Sequence, residues 1–383
     1  MIVTTKLPSV QLTELLYQKA SRRLLPLSGT FELSPVCNFA CRMCYVRMTA
    51  GQVKAHSRPI LTLDDWRRIA REARDQGMLY LLLTGGEPFL GPEFRTLYEE
   101  LVDMGFLISI NTNGSLIDEE AIRWLRKRPP RRINITLYGG SDETYQRLCL
   151  AKGVFGRVDR AIRGLKEAGI SVKLNCSLTP YNEADLDQMM DYAEQNGLVM
   201  DVTSYMFPPI RRDEGSVGVN DSRFTPEEAA TYRLRVYRRQ SSPEQYKKLL
   251  RDILDGYVDP PGLDEGCVDP VDGKIRCRAG KASFWITWDG FMTPCGMMPA
   301  PKVDLMQSDF SSAWAELTRI SGALQLSGLC EKCPNVKICH PCAAMAVAET
   351  GDPAGIPQYL CRAVQEMQRI AARELDALAE KQF

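Results

Sequence analysis

Six short β-rich runs recur along the first half of the chain, and a stretch with helical periodicity follows each of them. After a longer first interval they return about every 30 residues, the length of one strand with its following helix. The runs cover residues 30–34, 78–84, 106–111, 132–138, 170–178 and 198–205. Two of the helices between them begin with acidic residues that suit the helix dipole, at Asp64 and Asp118. Six such units predict a parallel sheet, either open or curved into a partial barrel.

The alternation of side chains in two neighbouring runs distinguishes these two forms, because successive side chains of a strand point to opposite faces. One face is apolar, with Val172, Leu174, Cys176 and Leu178 in one run and Ile133, Ile135 and Leu137 in the other. The opposite face is polar, with Lys173, Asn175 and Ser177 beside Asn134, Thr136 and Tyr138. A polar face suits a lumen, so the pattern favours an α/β fold with a partial (β/α)6 TIM-like barrel over a doubly wound open sheet.

The pattern changes beyond residue 207. Helical runs are predicted at residues 226–240 and 243–257, a Pro- and Gly-bearing stretch follows at 259–266, and eight cysteines lie between Cys267 and Cys361. The predicted organisation is a helical segment at 1–28, the barrel at 29–207, a helical linker region at 208–266, a cysteine-rich domain at 267–361 and a C-terminal helix at 362–383.

Cysteine usage is the unusual feature of the composition, with 13 cysteines and only two histidines in 383 residues. Balanced charge, with 48 basic and 48 acidic residues, gives no net field toward nucleic acid or an anionic membrane. No run of about 18 apolar residues occurs, and the first residues lack a signal-peptide pattern, so a cytoplasmic protein is expected. Thiols in a reducing compartment favour metal ligation over disulfides.

A CxxxCxxC run, Cys37, Cys41 and Cys44, directly follows the first predicted strand. Three thiolates on one loop can hold an iron-sulfur cube and leave one iron without a protein ligand. Such an iron can bind a small chelating molecule, for which an amino acid is the natural candidate. The alternative is a zinc loop completed by a distant fourth cysteine.

The run resembles the signature of the radical S-adenosylmethionine (SAM) enzymes, over residues 29–207. Gly85, Gly86, Glu87 and Pro88 follow the second strand and resemble the GGEP turn that holds the amino group of the cofactor's methionine in that family. Glycines allow a close approach of backbone, and a carboxylate accepts hydrogen bonds from an ammonium group. The resemblance implies that Met43 packs near the adenine.

Four further residues at strand ends or just beyond them match positions that contact the cofactor in relatives. The resemblance assigns Asn113 to a TNG sequence after the third strand, Thr136 and Ser177 to contacts with the ribose or the methionine, and Arg147 to the methionine carboxylate. Each lies toward the carboxyl end of the sheet, where barrel enzymes place their chemistry.

The C-terminal cysteines resemble a SPASM extension, which carries two auxiliary [4Fe–4S] clusters in radical SAM enzymes. The resemblance assigns Cys330, Cys333, Cys339 and Cys361 to an outer cluster, and Cys277, Cys295 and Cys342 to an inner one. Cys267 is the natural fourth inner ligand, with an open iron as the alternative. Relatives usually have three residues before the sixth cysteine, whereas two separate Cys339 from Cys342. Zinc knuckles are the other interpretation, and the two remaining thiols, Cys149 and Cys176, are predicted to be structural.

The resemblance implies reductive cleavage of SAM to a 5'-deoxyadenosyl radical that takes hydrogen from a substrate in the barrel, with three [4Fe–4S] clusters in the protein. A ribosomally made precursor peptide is the expected substrate, and oxidation of a small alcohol or amine is the alternative. Expected partners are an electron donor such as flavodoxin or ferredoxin and a separate leader-binding protein. The basic residues 126–132 are either a solvated loop or a surface for an acidic leader.

The sequence names no clear general base. Sulfatase maturases carry an Asp directly after the cysteine that corresponds to Cys295, whereas this chain has Gly296. Tyr205, Asp201 and Tyr138 are therefore candidates on position alone. A noncatalytic zinc-binding protein is the hypothesis from another class, and it does not require the turn at residues 85–88.

Overall fold

A computed structural model describes residues 9–256 and 277–380 of the chain. Within them, nine strands form one sheet in the order β6-β5-β4-β3-β2-β1-β7-β8-β9. The first six strands are all parallel to their neighbours. They are Ser28–Glu32 (β1), Tyr80–Thr84 (β2), Leu107–Thr112 (β3), Arg132–Thr136 (β4), Val172–Ser177 (β5) and Met200–Thr203 (β6). Each overlaps one of the predicted runs, which confirms the parallel, incompletely closed barrel.

Helices connect these strands and cover the outside of the sheet. They are Ser9–Arg23 (α1), Ala50–Ala55 (α2), Leu63–Asp75 (α3), Phe94–Asp103 (α4), Glu119–Lys127 (α5), Asp142–Cys149 (α6), Phe155–Glu167 (α7) and Leu186–Gln195 (α8). Both acidic helix starts predicted from the sequence occur. The backbone N–H of Asp65 donates to Thr62 in a capping box, and Asp118 accepts from the N–H of Ala121 at 2.8 Å.

The alternation of side chains agrees with the lumen prediction. Leu174 and Cys176 on β5 are almost completely buried in the core, as are Ile133 and Ile135 on β4. Polar side chains from the other faces of these strands line a cavity of about 660 Å³ inside the barrel. They include Asn134 on β4 and Lys173 and Asn175 on β5. These strands therefore direct their apolar side chains toward the surrounding helices and their polar side chains toward the lumen.

The sheet continues into the cysteine-rich region. Strand β7 (Ser283–Ile286) pairs parallel to β1, and β8 (Phe291–Thr293) and β9 (Val303–Asp304) extend the sheet in antiparallel fashion. Strand β7 was not among the strands predicted from the sequence. Its pairing brings the C-terminal region beside the strand that leads into Cys37.

The remaining helices are Pro226–Gln240 (α9), Pro243–Leu254 (α10), Phe310–Gly322 (α11), Gly328–Glu331 (α12), Val336–Cys339 (α13), Ala343–Thr350 (α14) and Gln358–Glu380 (α15). Helices α9, α10 and α15 share a small core around Leu234, Leu250 and Met367, against which Ile338 of α13 packs. In the part of the chain that the structure describes, no helix is long and apolar enough to cross a membrane.

Candidate active site

The three-thiol loop, residues 37–44, begins five residues after the end of β1. Backbone N–H groups donate to two of its sulfurs, from Phe39 to Cys37 and from Arg47 to Cys44, both at 3.3 Å. Two further N–H groups of the loop donate to carbonyls at the end of α6, including Ala40 to Cys149 at 2.9 Å. These hydrogen bonds hold the loop against the barrel. The N–H groups that donate to the sulfurs would stabilise the thiolate form of the cysteines.

Cys149 takes part in this site, although the sequence predicts only a structural role for it. Its thiol hydrogen-bonds that of Cys41 and lowers the pKa of Cys41, an effect to which the hydroxyl of Tyr138 adds. Burial instead raises the pKa of Cys37, to about 12, and that of Cys44. Metal binding removes the proton from such thiols, so the donor set fits an iron-sulfur cluster.

The turn at residues 85–88 extends the pairing of β1 with β2 into the loop. Gly86 N–H donates to Ser34 at 2.6 Å, and Glu87 N–H donates to Val36 at 3.0 Å. A Cβ atom on Gly86 would lie 2.1 Å from the Val36 carbonyl oxygen, and Gly85 has a φ of +139°. Both glycines are thus required for contact with the chain just before Cys37, a reason that sequence reasoning did not supply.

Glu87 is almost completely buried at this turn. Its carboxylate accepts from Thr112 Oγ1 at 2.7 Å, from Asn113 N–H at 2.8 Å and from Phe89 N–H at 3.1 Å. Burial raises the pKa of Glu87 to about 7 against the effect of these donors. A cationic partner such as an ammonium group would stabilise the ionised form.

An amide network ties the three-thiol loop to the end of β3. Asn113 Nδ2 donates to Asn38 Oδ1 at 2.9 Å, and Asn38 Nδ2 donates to Ser115 at 2.9 Å. Asn113 Oδ1 in turn accepts from Ser115 N–H at 2.9 Å. The side chain of Asn113, predicted to bind the cofactor, is therefore engaged in holding the loop. Asn38 and Ser115 were missed because one sequence does not show that they meet.

The other predicted cofactor residues occupy different surroundings. Thr136 and Ser177 are the last residues of β4 and β5, and Met43 packs against the main core. Arg147 is exposed on α6, and its guanidinium donates to the Tyr181 carbonyl at 2.7 Å. It lines an outer hollow with Arg42 rather than the lumen cavity. Its contact with a methionine carboxylate stays a prediction.

The three candidate bases differ in their surroundings. Asp201 lines the lumen cavity and forms an ion pair with Lys173. Tyr205 donates to Glu349 at 2.7 Å, and its pKa is raised, mainly by burial. Tyr138 is buried beside Cys41, and burial raises its pKa well above the usual value. Among the three, Asp201 is the residue that lines the cavity.

The described C-terminal thiols fall into two groups. One group packs against a single apolar cluster and consists of Cys277, Cys295 and Cys342. Burial raises the pKa of Cys342 to about 12, and the nearby thiols of Cys295 and Cys277 add to this effect. The two-residue spacing before Cys342 thus does not remove it from this inner group. The pKa of Cys339 is raised to about 12 by burial and by nearby thiols of an outer group. The outer group consists of Cys330, Cys333, Cys339 and Cys361.

Cys267 lies outside the described residues. Across residues 9–256 and 277–380, no three His, Cys, Asp or Glu side chains converge on a single metal ion.

Gly296 has no room for the carboxylate that sulfatase maturases carry at this position. A Cβ atom there would lie 2.6 Å from the indole of Trp285. Trp285 Nε1 donates to Glu32 at 3.0 Å, which fixes the ring in place. The base of the maturases is therefore excluded at this position by packing.

A three-thiol loop after the first strand of a partial barrel, with a Gly-Gly-Glu-Pro turn at the next strand end, is the arrangement that the resemblance to radical SAM enzymes predicts. Residues 31–193 match the family model described as "Radical SAM superfamily". The match supports S-adenosylmethionine and a [4Fe–4S] cluster as cofactors of this part of the chain.

Similarity extends beyond these residues. The chain is 24% identical over 332 residues to the AdoMet-dependent heme synthase of Methanosarcina barkeri, covering 84% of this chain and 92% of that protein. It is 26% identical over 264 residues to the GTP 3',8-cyclase of Aliarcobacter butzleri, covering 68% and 76%. Streptococcus suis SuiB, solved bound to its precursor peptide SuiA, is similar in fold, with a TM-score of 0.64 and 17% identity, covering 94% of this chain and 82% of SuiB.

Proposed function

We propose that the chain is a radical SAM oxidoreductase of the SPASM type that oxidises or crosslinks a ribosomally made peptide. One observation carries the proposal: a single cavity is lined both by lumen-facing residues of the barrel strands and by Cys277 and Cys295 of the inner thiol group. A substrate in this cavity would lie beside the auxiliary site as well as inside the barrel.

Eleven cysteines would hold three [4Fe–4S] clusters. Cys37, Cys41 and Cys44 would hold the cluster of the barrel. The seven described C-terminal thiols, together with Cys267, would hold the two auxiliary clusters. With its cluster and SAM bound, the barrel would supply the 5'-deoxyadenosyl radical that abstracts hydrogen from the substrate. Glu87 would hold the ammonium group of SAM, and the three-thiol loop would present the cluster. Thiols kept as metal ligands rather than disulfides fit a cytoplasmic location. The electron for SAM cleavage would come from a small protein such as flavodoxin or ferredoxin.

Polar side chains of the cavity would orient the substrate. Asn134 Nδ2 donates to Asn111 at 2.7 Å. Within the described residues, the buried Asn134 Oδ1 and Arg132 Nε have no hydrogen-bond partner. An acceptor and a donor on one strand face suit a ligand that offers both an N–H and a C=O, as a peptide amide does. The second hydrogen would leave as a proton, which Asp201 would accept, while the remaining electron of the substrate radical would pass to the oxidised auxiliary clusters.

A second candidate is radical oxidation of a small molecule such as an alcohol or amine. Two sequence relatives carry names that refer to a heme and to a nucleotide rather than to a peptide. A cavity of about 660 Å³ also has the size of many small-ligand sites. Substrate assays must therefore include both classes.

Metal content is the first test. After anaerobic reconstitution we expect about 12 irons per chain, and Cys37→Ala/Cys41→Ala/Cys44→Ala should keep about two thirds of them, because each of the three clusters has four. Cys176→Ala is the matched control, because Cys176 is buried in the core and belongs to none of the groups. Stoichiometric zinc in fresh anaerobic protein would contradict the proposal.

Substrate turnover is the second test. Reduced enzyme with SAM is incubated with a peptide encoded beside its gene, with and without any adjacent small binding protein, and peptide mass is followed. Loss of two hydrogens, absent in the triple cysteine variant, is the expected result. Turnover of a small alcohol or amine with no change in any peptide would favour the second candidate.

A further inference from the structure

Two adjacent arginines, Arg211 and Arg212, follow β6 in the segment that leaves the barrel, and neither belongs to a recognised motif. Arg211 is largely buried, with a side chain 11% exposed, whereas Arg212 is exposed. Arg212 contacts the backbone of a predicted cluster ligand, and Arg211 contacts the backbone of the residue that follows one.

Arg211 lies between the two cysteine regions. Its Nη1 donates to the carbonyl of Gly296, the residue after Cys295, at 2.7 Å. Its guanidinium also lies 5.7 Å from the ring centroid of Tyr45, the residue after Cys44. One side chain thus lies over the ring of the residue that follows Cys44 and bonds to the residue that follows Cys295.

A buried carboxylate holds Arg211 in this position. Glu32, the last residue of β1, is fully buried and accepts from Arg211 Nη2 at 2.8 Å and from Nη1 at 2.9 Å. Glu32 also accepts from Trp285 Nε1 at 3.0 Å, whereas the Gly296 carbonyl accepts directly from the guanidinium. The positive end of the ion pair therefore faces the Cys295 chain.

The neighbouring Arg212 allows a comparison between an exposed and a buried arginine in the same segment. Its Nη1 donates to the Cys44 carbonyl at 2.7 Å, but solvent surrounds the side chain. Water screens a charge at such a position, whereas a buried charge acts through a lower dielectric. Charge and burial near a cluster are among the main determinants of its reduction potential.

We infer that Arg211 is a positioning residue for the inner auxiliary cluster and raises its reduction potential by placing a buried positive charge beside Cys295. The inference rests on the proposed function, because it requires a cluster on Cys277, Cys295 and Cys342. Reduction adds negative charge to the cluster, and a nearby cation stabilises that state.

The test is a redox titration followed by electron paramagnetic resonance. The background is the Cys37→Ala/Cys41→Ala/Cys44→Ala chain, so that only the two auxiliary clusters give signals. Glu32→Gln/Arg211→Gln removes both charges together, because Arg211→Gln alone would leave Glu32 buried without a partner. Arg211→Lys keeps the charge, and Arg212→Gln is the matched control.

The expected result is a lower potential for one of the two clusters in Glu32→Gln/Arg211→Gln, by at least tenfold in the reduction equilibrium, or about 59 mV for one electron. Arg211→Lys should recover most of the shift, while Arg212→Gln and the second cluster should not change. Unchanged potentials in a double variant with full auxiliary iron would overturn the inference and leave the proposed function intact. Absence of iron from the C-terminal cysteines would overturn both.

Discussion

The three-thiol loop and the C-terminal thiols present similar ligands on very different supports. The loop is held by backbone bonds to α6, by the pairing of the 85–88 turn and by the amide network at Asn113. Three of the four outer thiols, Cys330, Cys333 and Cys339, lie on or between α12 and α13, which have four residues each, and Cys361 lies on the long helix α15. Helices as short as α12 and α13 have no stability of their own. The three-thiol loop is thus shaped by the fold, whereas we expect the segment around α12 and α13 to need a bound metal for its shape.

Iron removal is the strongest way to test this difference. Anaerobic chelation should abolish hydrogen-exchange protection around α12 and α13, because metal binding there contributes folding free energy. Strands β1–β6 should stay protected, since the large apolar core of the barrel contains no proposed ligand of the auxiliary clusters except the partly buried Cys339 at its edge. Hydrogen exchange with mass spectrometry measures both regions in one sample. Loss of protection in both regions at the same chelator concentration would contradict the comparison.

Gly86, in the turn at residues 85–88, tests whether the support of the three-thiol loop is structured in the absence of metal. Gly86→Ala places a Cβ atom 2.1 Å from a backbone oxygen that cannot move aside. We expect a loss of about 3 kcal/mol in unfolding free energy, at the upper end for overpacking. Gly91→Ala is the control, because its Cβ atom would meet no atom closer than 3.5 Å. Denaturant unfolding of the iron-free protein measures both, and equal losses would show that the turn is not constrained.

The sequence predicted the parts of this molecule that depend on local pattern. The six parallel strands followed from spacing and alternation, and the helix starts near Asp64 and Asp118 from acidic residues that suit the helix dipole. Sequence reasoning did not find β7, because its pairing partner β1 lies about 250 residues earlier in the chain. It also missed Asn38, Cys149 and Arg211. Their roles arise from side chains that meet only after folding, and no spacing rule connects them.

The buried Glu87 should make the radical SAM site sensitive to pH. Its pKa rises from 4.5 to about 7 in the folded chain, so the native state holds this proton more tightly than the unfolded state. The corresponding stability is complete below about pH 4.5 and is lost as pH rises through 7, up to about 3 kcal/mol.

Melting of cofactor-free wild-type protein from pH 5 to 8 should show this decline, and Glu87→Gln should flatten it. Exposed Glu93→Gln is the control in the same loop. SAM should also bind more tightly as pH rises toward 7, by about tenfold per unit, because its ammonium group favours the ionised carboxylate. The same slope in Glu87→Gln would assign the effect to another group.

The smallest expected effect comes from two asparagines in equivalent arrangements, one in each region. Asn38 exchanges hydrogen bonds with Asn113 and Ser115, and Asn335 exchanges two with Gln368 beside Cys333. In iron-free protein, Asn38→Ala should reduce the free energy of unfolding by about 1 kcal/mol, the usual net contribution of an intramolecular hydrogen bond. Asn335→Ala should have no effect there, because we expect its surroundings to lose their structure without iron, and should cost about 1 kcal/mol only after reconstitution. Equal costs of the two substitutions without iron would mean that the auxiliary region is shaped by the chain, as the three-thiol loop is.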